Sequence, residues 1–357
     1  MKLSSIAFML ATAGSGAFAL EKRIVGGSAA SSSAFSFVTN IFIDGASGMS
    51  VCTGALISPT VIITSAYCVA DPVSNKALAA NRIAVGQGKV SGILGSGPSS
   101  KAKLTDVLAA GYAIPQTVAV HPGYNSIAYS DNIAVLVLEK PLANATSAST
   151  GVKLIKKPSM VTNAAYTAVG WGSTSDDGDS YPSQLQQTTL AVGRKATCSD
   201  IWSPYTNLTN SLCVAPTKAS SNVCSGDGLL IKVATDQSVG LAGILNLVAT
   251  ESDVPATTCT EEGAVDFFTT FGNYLAWLTQ ITPLKESDFV STASFSYNTV
   301  GTNAGDESSS DSASELDSLS DEDSLDSVDS ETSGAARSLK FAAPLAAMAS
   351  VAFGALF

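Results

Sequence analysis

From residue 24 to about residue 281 the chain alternates short runs of β-branched and aromatic residues with clusters of Gly, Ser, Asn and Pro. Phe37-Val38-Thr39-Asn40-Ile41-Phe42-Ile43, Val61-Ile62-Ile63-Thr64 and Ile133-Ala134-Val135-Leu136-Val137-Leu138 are three such runs. Those side chains suit a pleated, half-buried surface, and the intervening residues favour turns. Many short strands at this spacing predict an all-β sandwich or a pair of barrels. One segment departs from the pattern. Asn273-Tyr274-Leu275-Ala276-Trp277-Leu278 carries its apolar residues at helical spacing and predicts a closing helix.

The remainder of the chain has a different character. Residues 283–336 are dominated by Ser, Asp and Glu, and the stretch 306–331 holds eleven acidic residues with no Lys or Arg. Such a segment buries too little apolar surface to offset its ordering entropy, so it is expected to be a disordered acidic Ser-rich stalk. The formal net charge of the whole chain is −11, so these eleven acids account for all of it. The remainder of the chain sums to zero, so the part expected to fold has no basic excess that would favour nucleic acid or anionic membrane.

Both ends carry targeting patterns. Residues 1–19 combine Lys2, the apolar run Ile6-Ala7-Phe8-Met9-Leu10-Ala11 and the small-x-small end Ala17-Phe18-Ala19, the pattern of a secretory signal peptide. A buried N-terminal helix is the alternative, weakened by Gly14 and Gly16. Residues 337–357 follow the small residues Ser333-Gly334-Ala335-Ala336 and end in an uncharged apolar run. That resembles a GPI-anchor signal, with a retained membrane tail or a plain C-terminus as alternatives. Export implies paired cysteines, and the acceptor triplets at Asn144 and Asn207 agree with a secreted glycoprotein.

Five motifs then occur in order. They are Ile24-Val25-Gly26-Gly27 after Lys22-Arg23, Thr64-Ser65-Ala66-Tyr67-Cys68, Asp131-Asn132-Ile133-Ala134-Val135-Leu136, Gly170-Trp171-Gly172 and Cys224-Ser225-Gly226-Asp227-Gly228. Together they resemble the trypsin/chymotrypsin family of serine proteases. The resemblance implies two six-stranded β-barrels with a C-terminal helix over residues 24–282, after a short propeptide at 20–23. It also implies the disulfides Cys52–Cys68, Cys198–Cys213 and Cys224–Cys259; the six cysteines alone allow fifteen pairings.

The same resemblance places unsuitable residues at the reacting positions. The family's mechanism requires a Ser nucleophile, a His base and an Asp that orients the His. Tyr67 stands at the base position, and a phenol with a reference pKa of about 10 is a poor general base near neutrality. Asn132 stands at the Asp position, with Asp131 one residue early, and an Asp-to-Asn change costs the template about 10⁴ in rate. Gly228 stands at the nucleophile position and has no side chain; a deletion within the motif is the alternative alignment, and it removes the Ser equally. Ser225 lies on the wrong side of the turn, and the sole histidine, His121, lies in a loop ahead of the Asp strand. Leu229 and Leu230 replace glycines beside the oxyanion loop, Asn222 takes the pocket base, and Asn246-Leu247-Val248 replaces the segment that holds substrate main chain.

The expectation is therefore an inactive protease homologue. Arg23–Ile24 resembles the activation cleavage, with Asp227 as the partner of the new amine; a plain secretory processing site is the alternative. No metal-ligand cluster and no phosphate-binding loop is evident, so no cofactor is expected. Binding a protein is the simplest remaining role. Among inactive members the chain is similar to the secreted glucanase inhibitor proteins of oomycetes, which implies a plant glycoside hydrolase, an endo-β-1,3-glucanase, as partner. The alternatives are a GPI-anchored surface or wall protein, the membrane being met only through the anchor, and an active endopeptidase using unfamiliar residues.

Overall fold

The computed structural model describes residues 27–31, 33–45, 48–88, 93, 102–142, 151–172, 181–207, 210–217, 223, 228–233, 238–251, 256 and 263–291. The signal peptide, Arg23, Ile24, Asn144, Asn222, Cys224, Ser225, Asp227, Cys259, the stalk beyond residue 291 and the apolar tail lie outside them, as does the side chain of Asn207.

The strands in chain order are β1 Ser28–Ala29, β2 Val38–Gly45, β3 Gly48–Ser58, β4 Val61–Thr64, β5 Ile83–Gly86, β6 Thr117–Val120, β7 Ala134–Val137 and β8 Lys153–Ile155. They continue as β9 Ala165–Gly170, β10 Gln186–Val192, β11 Ser211–Pro216, β12 Leu229–Val233, β13 Val239–Ala249, β14 Val265–Thr269 and β15 Phe289–Val290. Two sheets result. The first is antiparallel in the order β5-β2-β3-β4-β7-β6. The second runs β12-β9-β10-β11-β14-β13 and closes on itself because β13 also pairs β12. This is the all-β, two-barrel architecture expected from the sequence. The second sheet forms the closed six-stranded ring, while among the described residues the first is an open run of six.

All three quoted apolar runs form strands. In β4 every residue of Val61–Thr64 is buried, because the strand lies between β3 and β7 with both faces covered. Each such Val or Ile contributes roughly 1.5–3 kcal/mol through burial. The main core draws from both sheets: Ile41, Leu56 and Ile62 of the first join Val169, Leu229, Ile231 and Ile244 of the second. A backbone-to-side-chain bond crosses between them, the Trp171 N–H donating to Thr53 Oγ1 at 2.9 Å.

Two disulfides agree with the family pattern. Cys52 bonds Cys68, tying β3 to the short helix Ala66–Val69, and Cys198 bonds Cys213, tying the helix Lys195–Ile201 to β11. The closing helix spans Leu275–Ile281, preceded by a 3₁₀ turn at Gly272–Tyr274.

The packed chain continues past residue 282, where the sequence reading places the end of the domain. Leu284 and Phe289 are buried, and Phe289–Val290 forms β15, parallel to β8. Lys153 and Lys156 pair with Asp288 and Glu286 at 3.3 and 2.9 Å along this strap. Residue 151 must be glycine for the neighbouring turn. Its φ is +94°, and a Cβ there would stand 2.5 Å from the Ile57 carbonyl carbon.

Candidate functional site

The site assembles between the two sheets, where β4 ends, β7 begins and β13 bulges. Ser65 leaves β4 in an extended conformation and starts the helix Ala66–Val69, so Tyr67 sits in its first turn. The Cys52–Cys68 disulfide anchors the next residue. Tyr67 is 58% exposed, which places its phenol in solvent, not in a core.

Asn132 immediately precedes the buried run of β7 and is itself buried. Its Oδ1 accepts the Tyr67 backbone N–H at 2.8 Å. Its Nδ2 donates to Asn246 Oδ1 at 3.0 Å and to the Asn246 carbonyl at 3.3 Å. Asn246 in turn donates through Nδ2 to the Tyr129 carbonyl at 2.9 Å. Three neutral groups are thus joined across the sheets, and both ends of the Asn132 amide are used.

The sequence alone assigns Asn246 no such role. It is a polar interruption of the apolar strand Val239–Ala249, and the β13–β14 register shifts between Leu245 and Leu247. A bulge leaves the extra residue out of the ladder and re-aims its side chain, and here it delivers the amide to Asn132. The only hint in the sequence is an Asn inside an apolar run.

Asp131 is kept apart from Asn132 by its backbone conformation. Asp131 precedes the strand and has a φ of +49°, a left-handed conformation that Asp tolerates. Its Oδ1 accepts the Tyr274 hydroxyl at 2.8 Å. That hydroxyl also accepts from Asn210 Nδ2. Burial foremost, then the hydrogen bond and charge of Asp131, raises the Tyr274 phenol above its ordinary range.

His121 belongs to that second cluster. Its ring packs edge-on against Tyr274 at 5.0 Å and Trp277 at 4.9 Å, and its Nδ1 accepts the Gly123 N–H at 3.2 Å. Desolvation lowers its pKa, opposed by the nearby Asp131 charge. Tyr124 lies near the phenols of both Tyr67 and Tyr129. Burial pushes Tyr124 up to about 12, with Tyr67 and Tyr129 adding to the effect.

Gly228 begins the hairpin of β12 and β13, its carbonyl accepting the Leu245 N–H at 2.9 Å. A Cβ built there would meet Val223 Cγ1 at 2.6 Å, Phe268 Cε1 at 3.5 Å and Leu245 Cβ at 3.6 Å. All three belong to the apolar core of the second barrel. Leu229 and Leu230 are buried strand residues of β12. Among the described residues no group of three or more His, Cys, Asp or Glu could hold a metal ion, and no helix is long and apolar enough to cross a membrane.

A double-sheet β domain with a disulfide beside the Tyr67 helix, an Asn132 side chain bonded to that helix and a closing C-terminal helix defines a trypsin-like serine-protease domain. The Trypsin family profile matches residues 24–278, and the chain belongs to that family. Brachyurin of Leptuca pugilator is 28% identical over 265 residues, covering 73% of this chain and 100% of the relative. Trypsin I-P1 of Gallus gallus is 25% identical over 260 residues, covering 72% and 88%. Trypsin of Xenopus laevis is 25% identical over 209 residues, covering 58% and 74%.

Proposed function

We propose that this trypsin-family domain is catalytically inactive and acts outside the cell by binding a protein, the partner being a plant glycoside hydrolase of the endo-β-1,3-glucanase type. The observation that carries the inactive reading is the amide ladder Tyr67–Asn132–Asn246. A charged Asp would orient a histidine and stabilise its imidazolium; Asn132 is neutral, and its Nδ2 already donates to Asn246. No imidazole stands on Tyr67, and the chain's one histidine is engaged with Tyr274 and Trp277. The direction of a side chain at Gly228, into Val223, adds support. Binding follows as the remaining use of loops held on a cross-linked scaffold.

Secretion, and display of the domain by a lipid anchor, belong to the same proposal. The uncharged run 341–357 and the acidic stretch before it favour the display alternative. Two measurements test the reading. The full chain is treated with a fluorophosphonate probe, and no label is expected; stoichiometric labelling overturns inactivity. The chain is then immobilised and exposed to purified plant endo-β-1,3-glucanase. Retention with a dose-dependent loss of glucanase activity is expected, and absence of retention overturns the partner.

A further inference from the structure

Asp266 is the one fully buried carboxylate among the described residues. It lies within β14, opposite Val214 of β11 and Val248 of β13. Alternation along the strand puts its side chain on the face of Phe268, towards the apolar cluster of Val214, Val223, Leu245 and Val248. Oδ2 accepts a single N–H, from Val223 at 3.4 Å, and Oδ1 has no partner. An ionised carboxylate offers about four acceptor positions, and one long bond in an apolar core cannot replace the water they lose.

Among the described residues, the strands paired with β14 bring no ionisable group opposite it. β11 contributes only Cys213, which is in a disulfide, β13 contributes none, and on β14 Asp266 is alone. The buried cation Lys232 of β12 donates its ammonium to the Ala165 carbonyl at 3.0 Å. Asp227, close to Val223 in sequence, lies outside the described residues.

We propose that Asp266 is a pH-responsive latch: as a neutral acid it holds Val223 against β14, and its ionisation releases Val223 so that water reaches the carboxylate. Burial pushes the carboxyl up to about 8. The closed state keeps its proton up to that pH, whereas an opened, solvated Asp releases it near pH ~4. Between those values opening releases a proton, so the open-to-closed ratio rises by up to about tenfold per pH unit. Above about pH 8 both states are ionised and the slope vanishes. The latch acts directly on Gly228, because Val223 Cγ1 is the atom nearest to where a Cβ at Gly228 would stand. Mild acid therefore favours one fixed conformation beneath that position, and alkali releases it.

The test is amide hydrogen exchange at Val223 in the full chain between about pH 5 and 8, corrected for intrinsic base catalysis. The opening constant is expected to rise close to tenfold per unit in the parent and to stay flat in Asp266→Asn. Equal slopes in the two proteins overturn the latch. Should Asp266→Asn fail to fold, difference infrared spectroscopy on the parent decides. A protonated carboxylic acid band that persists at about pH 6 and disappears near pH 8 supports the latch, and a band gone by about pH 5 overturns it.

Discussion

Asn132 donates its side-chain amide to Asn246 at 3.0 Å while accepting the Tyr67 backbone N–H at 2.8 Å, so one buried amide holds the first sheet to the second. Neither group carries charge, and the arrangement needs no proton to be held or released.

Removing Asn246 should therefore loosen the cleft. Asn246→Ala leaves Asn132 Nδ2 without its side-chain acceptor and the Tyr129 carbonyl without its donor. Stranding buried polar groups costs about 1–3 kcal/mol each, partly recovered by water. A loss of about 1–3 kcal/mol in urea unfolding is expected. Faster exchange of the Tyr67 amide should accompany it, since Asn132 is no longer fixed.

Placing His, Asp and Ser at positions 67, 132 and 228 should not produce peptidase activity. In the triple variant Tyr67→His/Asn132→Asp/Gly228→Ser, the Cβ introduced at position 228 enters at 2.6 Å from Val223 Cγ1, a β-branched atom with little freedom to yield. Overpacking of this kind costs about 1–3 kcal/mol. The triple variant is expected to unfold at lower urea and to leave a fluorophosphonate probe unreacted. Labelling of the hydroxyl introduced at position 228 would show that the loop rearranges.

The contrast between these residues shows what is legible beforehand. Tyr67 and Asn132 stand out because they lie in short motifs, and motif order carries through to neighbouring strand ends. Asn246 stands out only as part of an altered substrate segment; its bond to Asn132 is not legible, because a bulge at Leu245–Leu247 is a property of strand pairing and the sequence of β13 shows only an Asn among apolar residues. The alternating runs point to the strands, but which sheet closes depends on the β12–β13 pairing, between residues brought together by one hairpin. Residues 283–290 read as stalk because Leu284 and the pair Phe289-Val290 are separated by the polar run Lys285-Glu286-Ser287-Asp288. So few apolar residues make no periodic signal, yet Leu284 and Phe289 are both buried.

That strap should contribute to stability through its apolar residues and not through its ion pairs. Phe289 is 6% exposed, and Phe→Ala in a core costs about 3–5 kcal/mol. Phe289→Ala is expected to fall in or slightly below that range, since the residue sits at a sheet edge. Lys156→Ala should change stability by less than about 1 kcal/mol, because its partner Glu286 is 85% exposed and surface pairs are weak. Thermal unfolding of the two variants side by side checks the order.

His121 supplies a pH dependence of opposite sign to that of Asp266. Desolvation against Tyr274 and Trp277 lowers its pKa, so the folded state prefers the neutral ring. As pH falls below the unfolded value of about 6.5, the unfolded chain takes up the proton first. Stability contributed by His121 is thus present above that pH and is lost as pH falls towards the depressed folded value. His121→Gln keeps a polar planar side chain but cannot titrate. Its unfolding free energy should therefore decline less than the parent's between neutral pH and about pH 5, against the same background from Asp266. Identical slopes in parent and variant would mean that the Asp131 charge offsets the desolvation in full.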